Sequence, residues 1–276
     1  SSIKINLNAP HLAKMGEEFS QSSDMETRGL NDTVHVPYVG GYTELVAQPV
    51  KGLKLVPGVR ADYFNYIDAY SIDGRFAARY QLFDWTALKG GVGTYHNDPD
   101  GEYIIEGYGN PDLDPEWSLQ YSVGFEQNFT ELLSIDVTGF YVDMRDLVAT
   151  NPALNEDPAA PPYINGAKGR SYGGEFMLKH EASKYFSGWI SYTLSKSERR
   201  FPGKDWEIFT MDQTHNLAAV GQVKLPYNFQ VGVRFRLVSG IPIELTTKRG
   251  GFDADSAMYI QSYDSMKDTR MPLVHT

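Results

Sequence analysis

The 276-residue sequence contains no cysteine, which excludes disulfide bonds, thiolate metal sites and cysteine nucleophiles. It has no apolar run of the roughly 18 residues that a membrane-spanning helix needs. Basic residues number 25 against 35 acidic ones, and the net charge of −10 argues against a general nucleic-acid-binding protein. The motifs of zinc proteases, P-loop enzymes and serine hydrolases are also missing. We therefore expect no enzyme, no cofactor and no metal site.

The residues that are abundant favour β structure. Hydrophobic residues make up 41% of the chain, which is enough for a folded body rather than a disordered chain. Tyrosine is the most frequent aromatic residue, with 18 copies, and glycine occurs 26 times. Tyrosine is typical of the interfacial girdles of outer-membrane barrels, and glycine is typical of crowded, twisted strands. A soluble β-sandwich shares both features, so composition leaves both classes open.

Apolar residues recur at every second position along the chain. In residues 228–238 every second residue is apolar from Phe229 to Leu237, and Arg234 and Arg236 lie between them. A helix would scatter these arginines among the apolar residues, whereas a strand separates the two sets onto opposite faces. The same pattern predicts strands near residues 2–8, 37–48, 51–64, 75–82, 85–96, 119–126, 133–138, 171–179, 184–197, 216–225 and 228–238.

Short and long connections alternate between these predicted strands. Tight turns are expected at residues 48–52, 82–85, 128–132, 181–184 and 225–228. Longer polar segments are expected at residues 9–36, 64–70, 97–116, 147–163, 198–212 and 242–270. A sandwich gives no reason for this alternation, whereas a transmembrane barrel has short periplasmic turns and long extracellular loops. The sequence thus predicts an all-β fold, the wall of a transmembrane antiparallel β-barrel.

The polar face of the predicted strands is too charged for a dry core. Burying so many charges in a sandwich would cost several kcal/mol for each unpaired one. A hydrated lumen removes this cost, since the charges then face water. The charged residues expected to face the lumen include Arg60, Arg75, Arg79, Glu126, Arg234 and Arg236.

Five ordered motifs resemble segments of the TonB-dependent outer-membrane receptors. They are residues 110–116 (NPDLDPE), 140–147 (FYVDMRDL), 172–176 (YGGEF), 212–217 (DQTHNL) and 236–242 (RLVSGIP). They are similar to the family's NPxLxPE, FYxxxxDL, xGxE, DxxH and SGxP segments. Each motif is weak alone, but their shared order makes the set specific.

The resemblance implies a barrel of about 22 strands around an N-terminal plug. This chain resembles the later part of such a barrel, so we expect residues 1–276 to form a single partial β-barrel domain of about eleven strands, without a plug and without the closing strands. The first residues also lack the basic and apolar segments of a secretion signal. We therefore expect a mature or partial chain, located in the outer membrane of a Gram-negative bacterium.

The resemblance also implies a function. Receptors of this family take up a scarce nutrient such as a siderophore, a corrinoid, an oligosaccharide or a peptide, and energy coupling drives the uptake. The implied partners are outer-membrane lipid, the nutrient ligand and an inner-membrane TonB-type complex acting through a plug that is not in this chain. Other envelope proteins are further candidate partners, and nucleic acid is not one.

Two sets of side chains are candidates for function. The lumen-facing arginines could form ion pairs with the plug or the wall, contact an anionic ligand, or do neither. The second set comprises aromatic residues expected in the extracellular loops, where exposed rings beside polar groups suit ligand capture. Packing within a girdle or a loop explains this set equally well. Its members are Tyr95, His96, Tyr103, Tyr108, Trp117, Trp206, Tyr259 and Tyr263.

Two other classes of function remain as hypotheses. The chain could be a structural or adhesive barrel component of an envelope assembly that does not transport. It could also be a soluble all-β carbohydrate-active enzyme that uses carboxylates such as Asp98 and Glu106. The enzyme hypothesis leaves the alternation of short and long connections unexplained.

Overall fold

The computed structural model shows a chain built mainly from antiparallel strands. It describes the backbone of residues 3–8, 18–19, 34–35, 38–105, 108–253, 258–272 and 274–275. Side chains are described for residues 39–105, 108–227, 229–243, 270–272 and 274. In these parts of the chain, no helix is long and apolar enough to cross a bilayer.

Seventeen strands, one helix and two 3₁₀ turns make up the described secondary structure. The strands are β1 Ile3–Asn8, β2 Glu18–Phe19, β3 Val34–His35, β4 Tyr38–Val50, β5 Leu53–Phe64, β6 Ala69–Phe83, β7 Thr86–Asn97, β8 Glu116–Asn128, β9 Leu133–Thr150, β10 Tyr163–His180, β11 Phe186–Arg200, β12 Glu207–Ile208, β13 His215–Lys224, β14 Gln230–Val238, β15 Pro242–Asp253, β16 Met258–Arg270 and β17 Val274–His275. The helix α1 is Gly101–Ile104, and the 3₁₀ turns are Pro152–Asn155 and Pro226–Asn228.

Thirteen of the strands form one sheet, and each long strand pairs with its neighbour in sequence. The order is β1-β4-β5-β6-β7-β8-β9-β10-β11-β13-β14-β17, with β12 paired to β11. All of these pairings are antiparallel, as a barrel wall made of successive hairpins requires. The eleven strands predicted from periodicity are confirmed as β1, β4 to β11, β13 and β14.

The sheet has an apolar face and a charged face, which we call the outer face and the inner face. Apolar residues on the outer face are open to their surroundings, as Val231, Val233 and Phe235 show with 53%, 67% and 42% exposure. Few apolar side chains are buried among the described residues: Phe64, Ala87, Ile104, Leu113, Ala149, Ala167 and Val238. The apolar rows therefore do not pack into a closed hydrophobic centre, and the outer face needs an apolar solvent such as lipid.

The two ends of the sheet differ in their connections. One end carries the short turns at residues 51–52, 84–85, 129–132, 181–185 and 225–229, and we call it the turn end. The opposite loop end carries the connections at residues 65–68, 98–115, 151–162 and 201–214. Three of the four connections at the loop end are long, so the predicted alternation is confirmed for most of the sheet.

Two of the predicted long segments differ from the prediction, and one of them is wrong. Residues 64–70 form a tight turn instead, because Phe64 already pairs with Ala69 and the Tyr63 hydroxyl donates to Asp68 across 2.9 Å. The predicted segment 242–270 does lie in a long connection, between the paired strands β14 and β17, but it is folded into the separate hairpin β15–β16. That segment has few alternating apolar residues, and backbone pairing rather than an apolar face defines it. The predicted segment 9–36 lies mostly outside the described residues.

Candidate functional site

Four charged residues on the inner face join four successive strands near the turn end. Two guanidinium nitrogens of Arg79 donate to one Glu126 oxygen across 2.9 and 2.7 Å. Lys89 lies 4.0 Å from the other Glu126 oxygen and forms an ion pair with Asp136. These side chains are between 29% and 41% exposed, so each remains in contact with water. Two neighbouring cations on β6 and β7 are therefore balanced by two neighbouring carboxylates on β8 and β9.

A recess of about 460 Å³ lies on the inner face, closer to the loop end. Its lining includes Arg75, whose guanidinium lies 5.3 Å from the centre of the Tyr95 ring. Gly58 and Gly93 are the direct neighbours of Arg75 on the two adjacent strands. A Cβ atom at either glycine would lie 3.1 to 3.2 Å from the Arg75 side chain, so the two glycines make room for it. The recess therefore presents a cation stacked on an aromatic ring.

Polar and aromatic side chains from neighbouring strands complete this surface. The recess is also lined by Glu44, Gln120, Phe140 and Glu175. A second recess of about 500 Å³ continues it toward the turn end and includes Lys54, Arg79, Lys89 and Glu175. The inner face thus combines both signs of charge with an aromatic platform, which suits a polar ligand or a polar protein surface.

The exposure of the Arg79–Glu126 pair leads to a prediction about stability. Glu126→Gln should lower the free energy of unfolding by less than about 1 kcal/mol, because partly hydrated ion pairs contribute little. Urea unfolding of the purified protein in detergent measures this change, with Glu131→Gln in the exposed turn 129–132 as the matched control. A loss of several kcal/mol would show that the inner face is dry and would contradict the assignment of a wet lumen.

The connection 98–115 is clamped to the wall at the loop end. The Asn165 side chain donates to the carbonyl oxygens of Asp114 and Asp146, and it accepts from the Asp114 amide across 2.8 Å. Asn165 directly precedes a shift in register between β9 and β10. Such a bulge leaves backbone groups unpaired, and the Glu116 carboxylate accepts from the Val148 amide there. The motif 110–116 therefore holds a loop onto the sheet.

Aromatic residues are presented by this clamped connection. The ring of Tyr103 packs edge-on against Tyr163 with centres 4.7 Å apart, and Tyr108 is 41% exposed. Burial raises the pKa of the Tyr103 hydroxyl and also that of the Asp98 carboxyl. Because the pKa of Asp98 is raised, its ionisation opposes the packed conformation of the loop, and protonation as the pH falls favours it. Leu113, which is 2% exposed, anchors the loop.

A gap between β6 and β7 is filled by a buried carboxylate. The pairing of these strands ends at Arg75 and Gly93. Beyond it, Asp73, which is 2% exposed, accepts from the His96 backbone across 3.1 Å and lies 2.7 Å from His96 Nδ1. The His96 ring lies over Trp117. The side chain of Asp73 therefore replaces backbone hydrogen bonds that the sheet has lost.

A second clamp ties the connection 201–214 to later parts of the chain. Asp212, which is 2% exposed, accepts from the Ser197 amide across 2.6 Å, from the Thr214 hydroxyl across 3.0 Å and from Arg270 across 2.7 Å. Arg270 also donates to the Gly240 carbonyl oxygen. The motifs 212–217 and 236–242 therefore meet at one place on the loop end.

Comparison with known protein families identifies the family to which the chain belongs. The family described as TonB dependent receptor-like, beta-barrel, matches residues 15–266. The chain belongs to the TonB-dependent receptor family. This confirms the resemblance, and the match covers the strands of the main sheet from β4 to β14.

Individual relatives agree with this family. The chain is 26% identical over 225 residues to the iron-regulated outer membrane virulence protein of Vibrio cholerae serotype O1, covering 72% of this chain and 34% of the relative. The siderophore receptor PirA from Acinetobacter baumannii superimposes with a TM-score of 0.63 at 16% identity, over 92% of this chain and 40% of PirA. The ferripyoverdine receptor of Pseudomonas aeruginosa gives 0.61 at 14% identity, over 87% and 31%. The chain thus spans about a third of the length of these receptors.

Family membership gives the sheet its orientation. The chain is part of a transmembrane antiparallel β-barrel in the outer membrane of a Gram-negative bacterium. In such a barrel the long loops are extracellular and the short turns are periplasmic. The loop end is therefore extracellular, the outer face contacts lipid, and the inner face lines the lumen. Proteins of this family are receptors and transporters rather than enzymes.

The six charged residues expected to face the lumen lie on the inner face of this receptor wall. Arg60 pairs with Asp62 across 2.6 Å, whereas Arg75 and Arg79 contact Tyr95 and Glu126. Arg234 and Arg236 form no ion pair with any described side chain, and they are exposed on β14. The first three arginines therefore interact with the wall, and the last two present open cations to the lumen.

The aromatic candidates are spread over different surfaces. Tyr103, Tyr108 and Trp206 lie in connections, as expected. Tyr95 and His96 lie in β7 and Trp117 lies in β8, so their placement in a loop is wrong. The wall strands β7 and β8 extend beyond their apolar outer rows and carry these three residues at their loop ends. Tyr259 and Tyr263 lie in β16, which belongs to the connection between the wall strands β14 and β17. The side chains of Tyr259 and Tyr263 lie outside the described residues.

Contacts further separate these rings. Trp117 donates from its indole nitrogen to Asp146 and stacks beside Arg145. The Trp206 ring is in contact with the guanidinium groups of both Arg170 and Arg200. Among the candidate rings that the structure describes, only Tyr95 borders the recess on the inner face. No group of three His, Asp or Glu side chains that could hold a metal ion occurs in the described part of the chain.

The residues that build the rim were not predicted from the sequence. Asn165, Asp73 and Asp212 join segments that are far apart in the chain. For Asp212 the family motif was a signal, although it did not reveal the partners. For Asp73 a carboxylate in an otherwise regular strand was the only signal.

Proposed function

We propose that this chain forms part of a receptor that takes up a scarce nutrient across the outer membrane, driven by an inner-membrane TonB-type complex. The observation that carries the proposal is the hydrated, charged inner face, in which Arg75 and Tyr95 border a recess of about 460 Å³. A recess of this size, with a cation and an aromatic ring in its lining, suits a polar ligand.

An iron chelate is the nutrient class that the relatives support. One relative is described as iron-regulated, one as a siderophore receptor and one as bound to ferripyoverdine. Ferric chelates are commonly anionic and rich in oxygen, and a cation stacked on an aromatic ring suits such a ligand. We propose Arg75 and Tyr95 as lumen contacts, and Tyr108 as an extracellular contact.

A plug is the proposed partner of the inner face. Force from the energy-coupling complex would remodel this plug, and the ligand would then pass along the wall. Arg234 and Arg236, which have no ion-pair partner among the described side chains, are suited to carboxylates on the plug. No covalent step is needed, since binding and movement accomplish the transport.

Uptake of radiolabelled ferric siderophores by intact cells tests the proposal. We expect deletion of the gene to abolish uptake of at least one chelate, and we expect a protonophore to abolish it in the parent strain. Complementation with Tyr108→Ala should weaken binding of the same chelate, whereas Tyr227→Ala in an exposed periplasmic turn is the control. Uptake that survives the protonophore would refute energy coupling. Unchanged uptake of every chelate in the deletion strain would refute iron as the cargo.

A further inference from the structure

Five charged residues form a patch on the outer face of β10 and β11, at the extracellular end. We call it the outer basic patch, and it consists of Lys168, Arg170, Lys196, Glu198 and Arg200. Lys168 pairs with Arg200 in the register of the two strands, and Arg170 pairs with Glu198. Four cations thus surround one carboxylate, in a chain whose net charge is −10. The patch therefore has a local net charge of about +3, opposite in sign to the net charge of the whole chain.

The register places this patch on the lipid side of the wall. Tyr172 is the direct neighbour of Tyr141 and of Lys196, and the two tyrosine rings stack with centres 6.3 Å apart. Arg170 lies two residues from Tyr172, so it belongs to the same face. That face carries Phe176 and Leu194, which are 38% and 45% exposed. The charges therefore continue the apolar rows of the outer face.

The height of the patch matches the boundary of the hydrocarbon. On β11 the outer-face positions are free of charge through residues 186–194, and the row becomes charged at Lys196. On β9 the uncharged row covers residues 133–141 and becomes charged at Asp143, which lies opposite Arg170 in the register. Asp143 forms an ion pair with Arg145, so this second pair leaves the excess of three positive charges unchanged. Each row has about the length of a tilted strand that crosses the bilayer core. Both strands thus place the first charges at the level of the outer headgroups.

Contacts hold the cations in place. The Glu198 carboxylate is 5% exposed and accepts from Arg170 across 2.6 Å and from Lys196 across 2.8 Å. The guanidinium groups of Arg170 and Arg200 lie 4.4 and 5.2 Å from the centre of the Trp206 ring. The patch is therefore organised around one carboxylate and one aromatic ring rather than being a set of independent surface charges.

We propose that the outer basic patch binds the phosphate groups of a phosphorylated glycolipid in the outer leaflet. The lipid's acyl chains would cover the apolar rows below, and its phosphates would lie against Lys168 and Arg200, which do not pair with Glu198. Trp206 would lie at the interface, as amphipathic aromatic rings do. Clusters of cations beside a membrane surface attract anionic headgroups in this way. This inference is independent of the nutrient.

Native mass spectrometry of the protein purified from outer membranes tests the proposal, with diphosphoryl lipid A as the probe. Lys168→Gln combined with Arg200→Gln removes two cations and leaves both Glu198 pairs intact. Since each cation near a charged surface contributes roughly a fivefold factor, the affinity should fall by about 25-fold. Arg234→Gln combined with Arg236→Gln removes the same charge from the inner face and should leave binding unchanged. Retained heat-modifiable migration on gels shows that each variant is folded.

Two further arms identify the source of the phosphate. Dephosphorylated lipid A should bind the wild-type protein about as weakly as diphosphoryl lipid A binds the outer double variant, and millimolar inorganic phosphate should not displace bound lipid. Displacement by inorganic phosphate would overturn the proposal in favour of a site for free phosphate. Equal binding by the wild type and the outer double variant would overturn it outright, as would an equal loss in the inner-face variant.

Discussion

Replacing Asp212 by alanine should open the extracellular rim of the barrel while leaving the wall intact. The substitution removes the carboxylate that accepts from the Ser197 amide, and it leaves the Arg270 guanidinium without its ion pair. Removing one partner from a buried charge pair costs about 3 to 5 kcal/mol, because the remaining groups lose both water and partner. We expect amide hydrogen exchange at Ser197 to accelerate by at least about 100-fold. The amide of position 212, which donates to the Phe209 carbonyl oxygen across 2.8 Å, should exchange faster as well.

Two further variants make this result specific. Asp212→Asn keeps an acceptor for the Ser197 amide but loses the charge that holds Arg270, so its exchange rates should lie between those of the wild type and Asp212→Ala. Asp205→Asn changes an exposed carboxylate of the same connection, with no hydrogen bond or ion pair to any described residue, and should have no effect. Unchanged exchange at Ser197 in Asp212→Ala would contradict the clamp.

The strands and their faces could be predicted because a barrel wall has a simple periodicity. Between Phe229 and Leu237 the polarity of each side chain indicates which face of the strand it is on, since residues at alternate positions contact lipid and the residues between them contact water. The hairpin β15–β16 was missed because its strands lack this contrast. Alternation of apolar and polar residues therefore identifies strands with lipid on one face and water on the other. It overlooks strands whose two faces have similar surroundings.

Partners on the inner face could not be predicted in the same way. Parity places Arg79 and Glu126 on one face, but only the register between β6, β7 and β8 brings them within 2.7 Å. Register depends on turn geometry and on bulges, such as the one beside Asn165. The sequence therefore predicts which charges share the lumen, whereas their pairing needs the structure.

Replacing Asn165 by alanine should release the connection 98–115 from the wall. The substitution removes three hydrogen bonds that the Asn165 side chain makes to Asp114 and Asp146. Each hydrogen bond contributes about 1 kcal/mol net, and less where it is open to water. The free energy that holds the loop on the wall should therefore fall by about 2 kcal/mol. This corresponds to roughly 30-fold faster amide exchange at Asp114.

The released loop should also bind ligand less tightly, because Tyr108 would no longer be held in place before binding. Titration of the purified protein with its transported chelate measures this loss, which we expect to appear mainly as faster dissociation. Asn155→Ala changes an exposed asparagine in the neighbouring connection 151–162 and is the matched control. If Asp114 exchanges at the wild-type rate in Asn165→Ala, then the clamp does not order the loop. If exchange rises and affinity does not change, then the loop is ordered for a reason other than ligand capture.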